Sequence, residues 1–286
     1  QVIFSKLYAI LKGWLDMNPT TYALLVFIIG NILWLIGGVG WPSLLILFAL
    51  TFLPGIAPGD VFAHSFGHPT VAFLLFTFLL SGQLRDTGVL RRIIYRFLSL
   101  KWARRSFFHR AVLYAVAVFV VGSFVAPTVC FLLFFAIHDE LCKVAGYEKG
   151  SAEGSMLMVI TACFSSISCA ATPIAHTFPL MAMNFYQSHT GEVLSQTEYL
   201  AFAFPLSLIL AVICFALVWF WHRGRLGQDG MGDKASQEKI DNWLQSTNPP
   251  LETEGKISLG VFILVLLAWL LPAFIPAFQA IVKPWG

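Results

Sequence analysis

The sequence predicts an all-α polytopic membrane protein, and three observations carry that prediction. The chain is 58% hydrophobic and only 12% charged, against ~25% charged residues in an ordinary soluble domain. Its charges are segregated, leaving charge-free runs at residues 17–59, 61–84, 111–138, 154–191, 199–222 and 257–282. A helix needs ~20 apolar residues to cross a bilayer, and the first run is long enough for two crossings. The third observation is an interruption. The run 154–191 is apolar at both ends but carries Ser165, Ser166, Ser168, Thr172, Pro173, His176, Thr177 and Pro179 in its middle. Pro173 and Pro179 each remove a backbone donor and oppose a continuous helix. Non-helical backbone at membrane depth survives only inside protein or against a watery cavity.

Residues 1–16 place Lys6, Lys12 and Asp16 among apolar residues and show no cleavable signal peptide. Residues 1–19 therefore read as an interfacial segment or the remnant of a first span. The first residue is Gln, so a piece of a longer protein is one expectation. Residues 20–36 form a span, Gly37-Gly38-Val39-Gly40-Trp41-Pro42 signals a turn, and residues 43–54 form a shorter span ended by Pro54-Gly55. Residues 20–56 are thus two scaffold spans. Residues 55–68 are expected as a loop holding Pro58, Gly59 and Asp60. His64 and His68 stand four apart, a spacing that binds metal on a helix. Gly67 and Pro69 break that helix and no third ligand is beside them, so a metal role is not expected.

Residues 69–84 enter the membrane again. From Arg85 to Arg110 there are eight basic residues and one acid, Asp86. Val89, Leu90, Ile93, Ile94, Phe97 and Leu98 recur at helical spacing among them. That pattern predicts an amphipathic helix over 85–105 on the cytoplasmic face. A basic face flanked by two membrane runs is no nucleic-acid surface. The run 111–138 follows, with Gly122-Ser123-Phe124-Val125-Ala126-Pro127-Thr128 at its centre. After a polar stretch at 139–153 comes the interrupted segment, a broken helix over 154–184. Residues 199–221 make a plain span. Residues 222–256 make a cytoplasmic linker, and residues 257–276 a last span. The five cysteines (130, 142, 163, 169, 214) lie mostly in apolar runs without a Cys-x-x-Cys pair, which supports neither a disulfide framework nor a metal site.

Charge sets the topology. The Lys- and Arg-rich loops, 85–110 and 222–256, belong in the cytoplasm. The loops 55–68 and 184–198 contain neither residue and face outside. Counting back from 222–256, span 199–221 runs inward and the broken helix runs outward, so 139–153 is cytoplasmic. Residues 107–138 then start and end on the same side. They are expected as a re-entrant hairpin with its tip at Gly122 to Thr128, where Pro127 favours a turn.

Two interrupted elements therefore point at mid-membrane. The tip offers Ser123 and Thr128; the broken helix offers Ser165, Ser166, Ser168, Thr172, His176 and Thr177. Helix ends at such breaks leave carbonyls for a cation and amides for an anion. Neither element holds an acid, which argues against a carboxylate proton relay. His176 is the ionisable side chain at depth, with a structural role and a substrate or proton role weighed equally. Ser165 or Ser168 with His176 would be needed for an intramembrane hydrolase. No Gly-x-Ser-x-Gly or His-Glu-x-x-His pattern accompanies them, and the chain is expected not to be an enzyme.

Several segments carry a family resemblance. Trp34-Leu35 with Trp41-Pro42 looks like a repeat opening. Phe66-Gly67-His68-Pro69-Thr70-Val71 and Ser81-Gly82-Gln83-Leu84-Arg85-Asp86-Thr87-Gly88 look like the next span and its surface helix. Ser123 to Thr128 and Ala171 to Pro179 look like the two site loops. In these features the chain resembles the divalent anion/sodium symporters, the dicarboxylate and sulfate transporters of the ion transporter superfamily. That superfamily also holds arsenite permeases and sodium/proton antiporters. Pro127 stands where the family has asparagine, Ala175 replaces a glycine, and the family's terminal asparagine is absent. The resemblance implies the first of two inverted repeats, with residues 257–286 opening the second, so that this chain would hold half of a binding site. It implies a secondary transporter of small anions: di- or tricarboxylate, sulfate or a related oxyanion. Coupling would be to Na+ or H+, with an arsenite permease or antiporter as the alternative. The implied substrate- and ion-binding residues are Ser123, Ala126, Thr128, Ser166, Ser168, Ala171, Thr172, His176 and Thr177, with Na+ at Ser123, Thr128 and Ala171. A homodimer in the cytoplasmic membrane, without an organic cofactor, completes the expectation.

Overall fold

The structure, a computed structural model, describes residues 18–53, 55–67, 69–226, 234–246 and 251–274. The expected interfacial segment at the N-terminus and the residues after 274 lie outside the described residues. Among the described residues there are α-helices and one short 3-10 turn, and no strand. The chain divides into two compact units, residues 1–73 and 74–286.

The first unit contains α1 (Pro19–Gly37), α2 (Gly40–Leu50) and α3 (Pro58–Phe66). Helix α1 starts because Pro19 occupies its first turn and the Asn18 side chain accepts a hydrogen bond from the Thr20 amide at 2.9 Å. It ends at Gly38, whose φ of 70° needs a residue without a Cβ. The turn reverses the chain. Tyr22 donates to the Ala49 carbonyl at 2.7 Å, and Trp34 donates to the Ser43 hydroxyl at 3.0 Å, so α1 and α2 pair antiparallel. Leu35 and Ile36 are 87% and 81% exposed. Such faces suit lipid rather than water as their surroundings. The expected loop at 55–68 is instead helical over Pro58–Phe66. Pro58 fits the first turn, where no amide bond is lost, and Gly67 closes the helix. Pro58, Gly59 and Asp60 suggest a loop, but they form the first turn of this nine-residue helix. The side chain of His64 and all of His68 lie outside the described residues.

The helix α4 (Pro69–Asp86) runs across the division. The second unit continues with α5 (Val89–Leu98), α6 (Phe107–Gly122), α7 (Pro127–Ala145), α8 (Ala152–Ser168), α9 (Thr177–Thr190), α10 (Gln196–His222), α11 (Lys234–Ser246) and α12 (Thr253–Phe274). Helices α1 and α10 have the length and apolarity to cross a membrane, and α2, α6 and α8 are shorter apolar helices. The core is built on α8, which packs against α6, α7 and α10. Its centre holds Tyr114, Val118, Phe134, Met156, Leu157 and Ile160, all buried.

The amphipathic helix is α5, shorter than the 85–105 expected. Arg85 and Asp86 close α4, and Lys101–Arg104 form the 3-10 turn. Val89, Leu90, Ile94 and Leu98 bury its apolar face. Arg91 reaches both oxygens of Glu140 on α7, at 3.0 and 2.8 Å. The expected polar linker at 222–256 contains α11. Its Ile240 and Leu244 are buried, Trp243 meets the Tyr95 ring edge-on, and Asp241 pairs with Arg104 at 3.3 Å. Ile240, Trp243 and Leu244 at spacings of three and four were the legible signal for that helix.

Candidate functional site

Helix α6 ends at Gly122. Ser123 caps it and returns its hydroxyl to the Phe119 carbonyl at 2.7 Å. Four residues later Pro127 starts α7, with Ala126 as N-cap accepting from the Cys130 amide at 2.9 Å. The two helices then run back along each other. Tyr114 donates to the Phe134 carbonyl at 3.3 Å, and Cys130 points at the Val118 carbonyl. Helix α8 lies alongside, its Thr161 hydroxyl 2.7 Å from Tyr114.

Helix α8 starts from the Ser151 cap and stops at Ser168. The chain leaves helical structure over residues 169–176 and resumes as α9. Pro173 lies in that gap. Pro179 lies in the first turn of α9, where proline is tolerated. His176 is the N-cap of α9, its Nδ1 accepting from the Phe178 amide at 3.1 Å. Its side chain therefore has a structural task in this geometry.

The tip and the break meet. The Thr172 hydroxyl donates to the Ser123 carbonyl, and both residues are buried. A Cβ at Gly122 would overlap the Ser168 hydroxyl, so glycine is what lets α6 approach α8 this closely. Ala171 is fully buried beside them, its amide donating to the Ser168 carbonyl at 3.0 Å. Two helices, α6 and α8, end at this junction, and two, α7 and α9, begin from it. Ends of the first kind carry partial negative charge and those of the second kind partial positive charge. The donor set is neutral oxygen from hydroxyls and carbonyls, which suits a hard cation; the amide ends suit an anion.

The other expected residues sit differently. Thr128 is exposed in the first turn of α7. Ser166 is exposed and turns its hydroxyl to the Ala162 carbonyl of its own helix at 3.2 Å. Thr177 opens α9 and is half-buried, and Ala126 is half-buried at the start of α7. Ser123, Ser168, Ala171 and Thr172 thus share the junction, while Thr128 and Ser166 lie on exposed surface.

Two polar groups at the junction were not found in the sequence. Tyr199 of α10 donates to the Ala170 carbonyl at 2.8 Å, in the gap just beyond the end of α8. Ser81 of α4 approaches the Phe124 carbonyl at 3.4 Å.

The opposite end of the same three helices is charged. Arg110 donates to the Tyr147 hydroxyl at 3.1 Å. Glu153, only 2% exposed, acts on that same hydroxyl. Burial pushes the Tyr147 hydroxyl up, the Arg110 charge opposes this, and Glu153 adds to it. His138 lies 2.9 Å from the Gly154 carbonyl and 3.4 Å from the Cys142 sulfur. Among the described residues no group of His, Cys, Asp and Glu is arranged to hold a metal.

Helix ends meeting inside an apolar bundle are the kind of arrangement in which secondary transporters place their ligand sites. Residues 18–283 match the sequence profile of the citrate transporter family, CitMHS. The chain belongs to that family, a branch of the divalent anion/sodium symporter and ion transporter superfamily whose features its motifs resemble. No curated protein matches the chain.

Proposed function

We propose that the chain carries citrate or a related di- or tricarboxylate across the cytoplasmic membrane, coupled to Na+ or H+. The family's description supplies the substrate class. The observation that supports a site at the junction is the contact of Thr172 with the Ser123 carbonyl, which joins the tip of α6–α7 to the gap between α8 and α9. In this reading α6 and α7 form a re-entrant hairpin. The coupling cation takes carbonyl and hydroxyl oxygens at the ends of α6 and α8, including those of Ser123 and Ala171. The anion meets the amide ends of α7 and α9, where Ala126, Thr128, His176 and Thr177 lie, with Ser168 on the approach from α8. The hairpin and the broken helix move together, and two copies associate in the bilayer.

The test is uptake into proteoliposomes by the full chain. Citrate accumulation under an imposed Na+ or H+ gradient, abolished by Thr172→Ala in a folded protein, supports the reading. Citrate counterflow by the native chain that is indifferent to both gradients overturns the coupling. Unchanged uptake by Thr172→Ala overturns the site.

A further inference from the structure

We propose that the groove between α6 and α10 binds one anionic phospholipid, an acyl chain lying along the groove and the phosphate held by Arg105 and Arg223 at one end of it. The groove has a volume of about 340 Å3, inside the range of about 300–1,000 Å3 usual for ligand pockets. Val112, Val116 and Phe119 of α6 stand on one side, and Leu208, Val212 and Phe215 of α10 on the other. Every side chain that lines it is apolar.

The two walls change character in the same order. On α6 the stripe Val116, Val112, Phe108 steps back four residues at a time, and Arg105 lies just before the Ser106 cap. On α10 the stripe Leu208, Val212, Phe215, Trp219, Arg223 steps forward by three or four. The Phe108 ring meets that of Trp219 at 4.6 Å and that of Phe215 at 5.9 Å, so both stripes reach the same end of the groove. From the middle outward, each wall is aliphatic, then aromatic, then cationic.

That gradient selects the ligand. It repeats the order of an amphiphile in a bilayer: tail, interface, head. Aromatic rings gather at the headgroup level, and basic residues next to membrane helices draw anionic heads. A neutral lipid matches the apolar walls but not the two guanidiniums, and a soluble anion matches the guanidiniums but not the walls. Arg223 lies over the Phe220 ring at 4.6 Å, a contact that leaves its charge in place. Neither Arg105 nor Arg223 forms a salt bridge with another described residue, whereas the neighbouring Arg104 pairs with Asp241 at 3.3 Å. At the inner end of the groove Phe119 meets Phe204 edge-on at 6.0 Å, and the Phe119 carbonyl takes the Ser123 hydroxyl. The tail therefore ends beside the turn that carries the α6–α7 tip. The proposal stands independently of which anion the protein transports.

The experiment uses the full chain purified in neutral detergent. It is equilibrated with mixed micelles of phosphatidylglycerol and phosphatidylcholine carrying distinguishable acyl chains, and retained lipid is read by native mass spectrometry. The native protein retains phosphatidylglycerol in preference. Each basic residue near a charged lipid surface contributes about 1 kcal/mol, a factor of about five in affinity. R105Q/R223Q therefore lowers the preference by about twenty-five-fold while thermal unfolding shows a folded protein. R96Q removes a cation that does not border this groove and leaves the preference as it was. L208W, at an exposed position of the α10 wall, keeps both charges and fills the groove; it lowers retention of phosphatidylglycerol on its own. This variant tests the tail even where the arginine pair is needed for folding. Equal retention of the two lipids by the native protein overturns the proposal. So does a preference that survives R105Q/R223Q, or one that falls as far with R96Q as with R105Q, since overall positive charge would then explain it. Displacement by inorganic phosphate together with an inert L208W overturns it as well, because the groove then takes no tail.

Discussion

The two ends of the α6–α7–α8 bundle are built from opposite materials. At the tip, Ser123, Ser168 and Thr172 meet with neutral hydroxyls and carbonyls. At the base, Arg110, Tyr147, Glu153 and His138 are buried with formal charge among them. The helices are the same; the chemistry they carry at each end is not. Neutral oxygens around helix ends can be exchanged for an ion's shell at modest cost. A buried arginine cannot leave its partners without a large penalty. The comparison suggests a division of labour: the base fixes the three helices together, and the tip is where the proposed reading has a ligand enter.

The sharpest way to break that division is at the base. Arg110→Ala leaves Tyr147 and Glu153 buried without the guanidinium. Removing a charged donor and leaving the buried Tyr147 hydroxyl without it costs about 1–3 kcal/mol. Thermal unfolding in detergent is expected to show that loss. The double variant Arg110→Ala, Glu153→Ala is expected to lose less than the sum of the singles, since both act on one hydroxyl. Strict additivity would separate the two residues and dissolve the base as a unit.

Next in size is Gly122→Ala. The added methyl overlaps the Ser168 hydroxyl, with the Cys130 sulfur also close. Overpacking of this kind costs about 1–3 kcal/mol, and here it separates the tip from the break. Transport should fall with it. Ser168→Ala in the same chain removes the overlapping oxygen and is expected to restore stability. If stability returns without transport, the Ser168 hydroxyl itself serves the ligand.

Thr172→Ala is smaller in stability and larger in function. One hydrogen bond is worth about 1 kcal/mol, so folding barely changes. The Ser123 carbonyl loses its donor, and uptake is expected to drop at least tenfold, about 1.4 kcal/mol or more. Thr172→Ser keeps the hydroxyl and should keep most of the activity.

Much of this fold was legible in the sequence, for stated physical reasons. Apolar runs, the turn at Gly38 and the gap around Pro173 all follow from backbone chemistry that each residue carries with it. The base was not legible. Arg110 and Glu153 read as solvent-side charges flanking a run, and only packing against α8 buries them. Tyr199 was likewise one aromatic residue at the start of a plain span until α10 brought it to the Ala170 carbonyl. Helix α11 was hidden by its charged surroundings, although its three apolar residues had the right spacing. Long-range pairing is what a periodicity argument cannot supply.

The smallest expected effect tests whether position at the tip is enough. Ser166 is a neighbour of Ser165 and Ser168 in the chain, and a hydroxyl there reads as part of the same cluster. The fold turns it outward. It is exposed, and its hydroxyl returns to the Ala162 carbonyl of its own turn, a back-bond that contributes little to helix stability. Ser166→Ala should leave unfolding within about 0.5 kcal/mol of the parent, and uptake close to the parent value. Ser168→Ala, two residues further on and pointing at Gly122, should not be silent. If Ser166→Ala instead abolishes uptake in a folded protein, the ligand approaches α8 from its exposed side. The junction of Ser123 and Thr172 would then belong with the base, as a second structural clamp, and the division between the two ends would disappear.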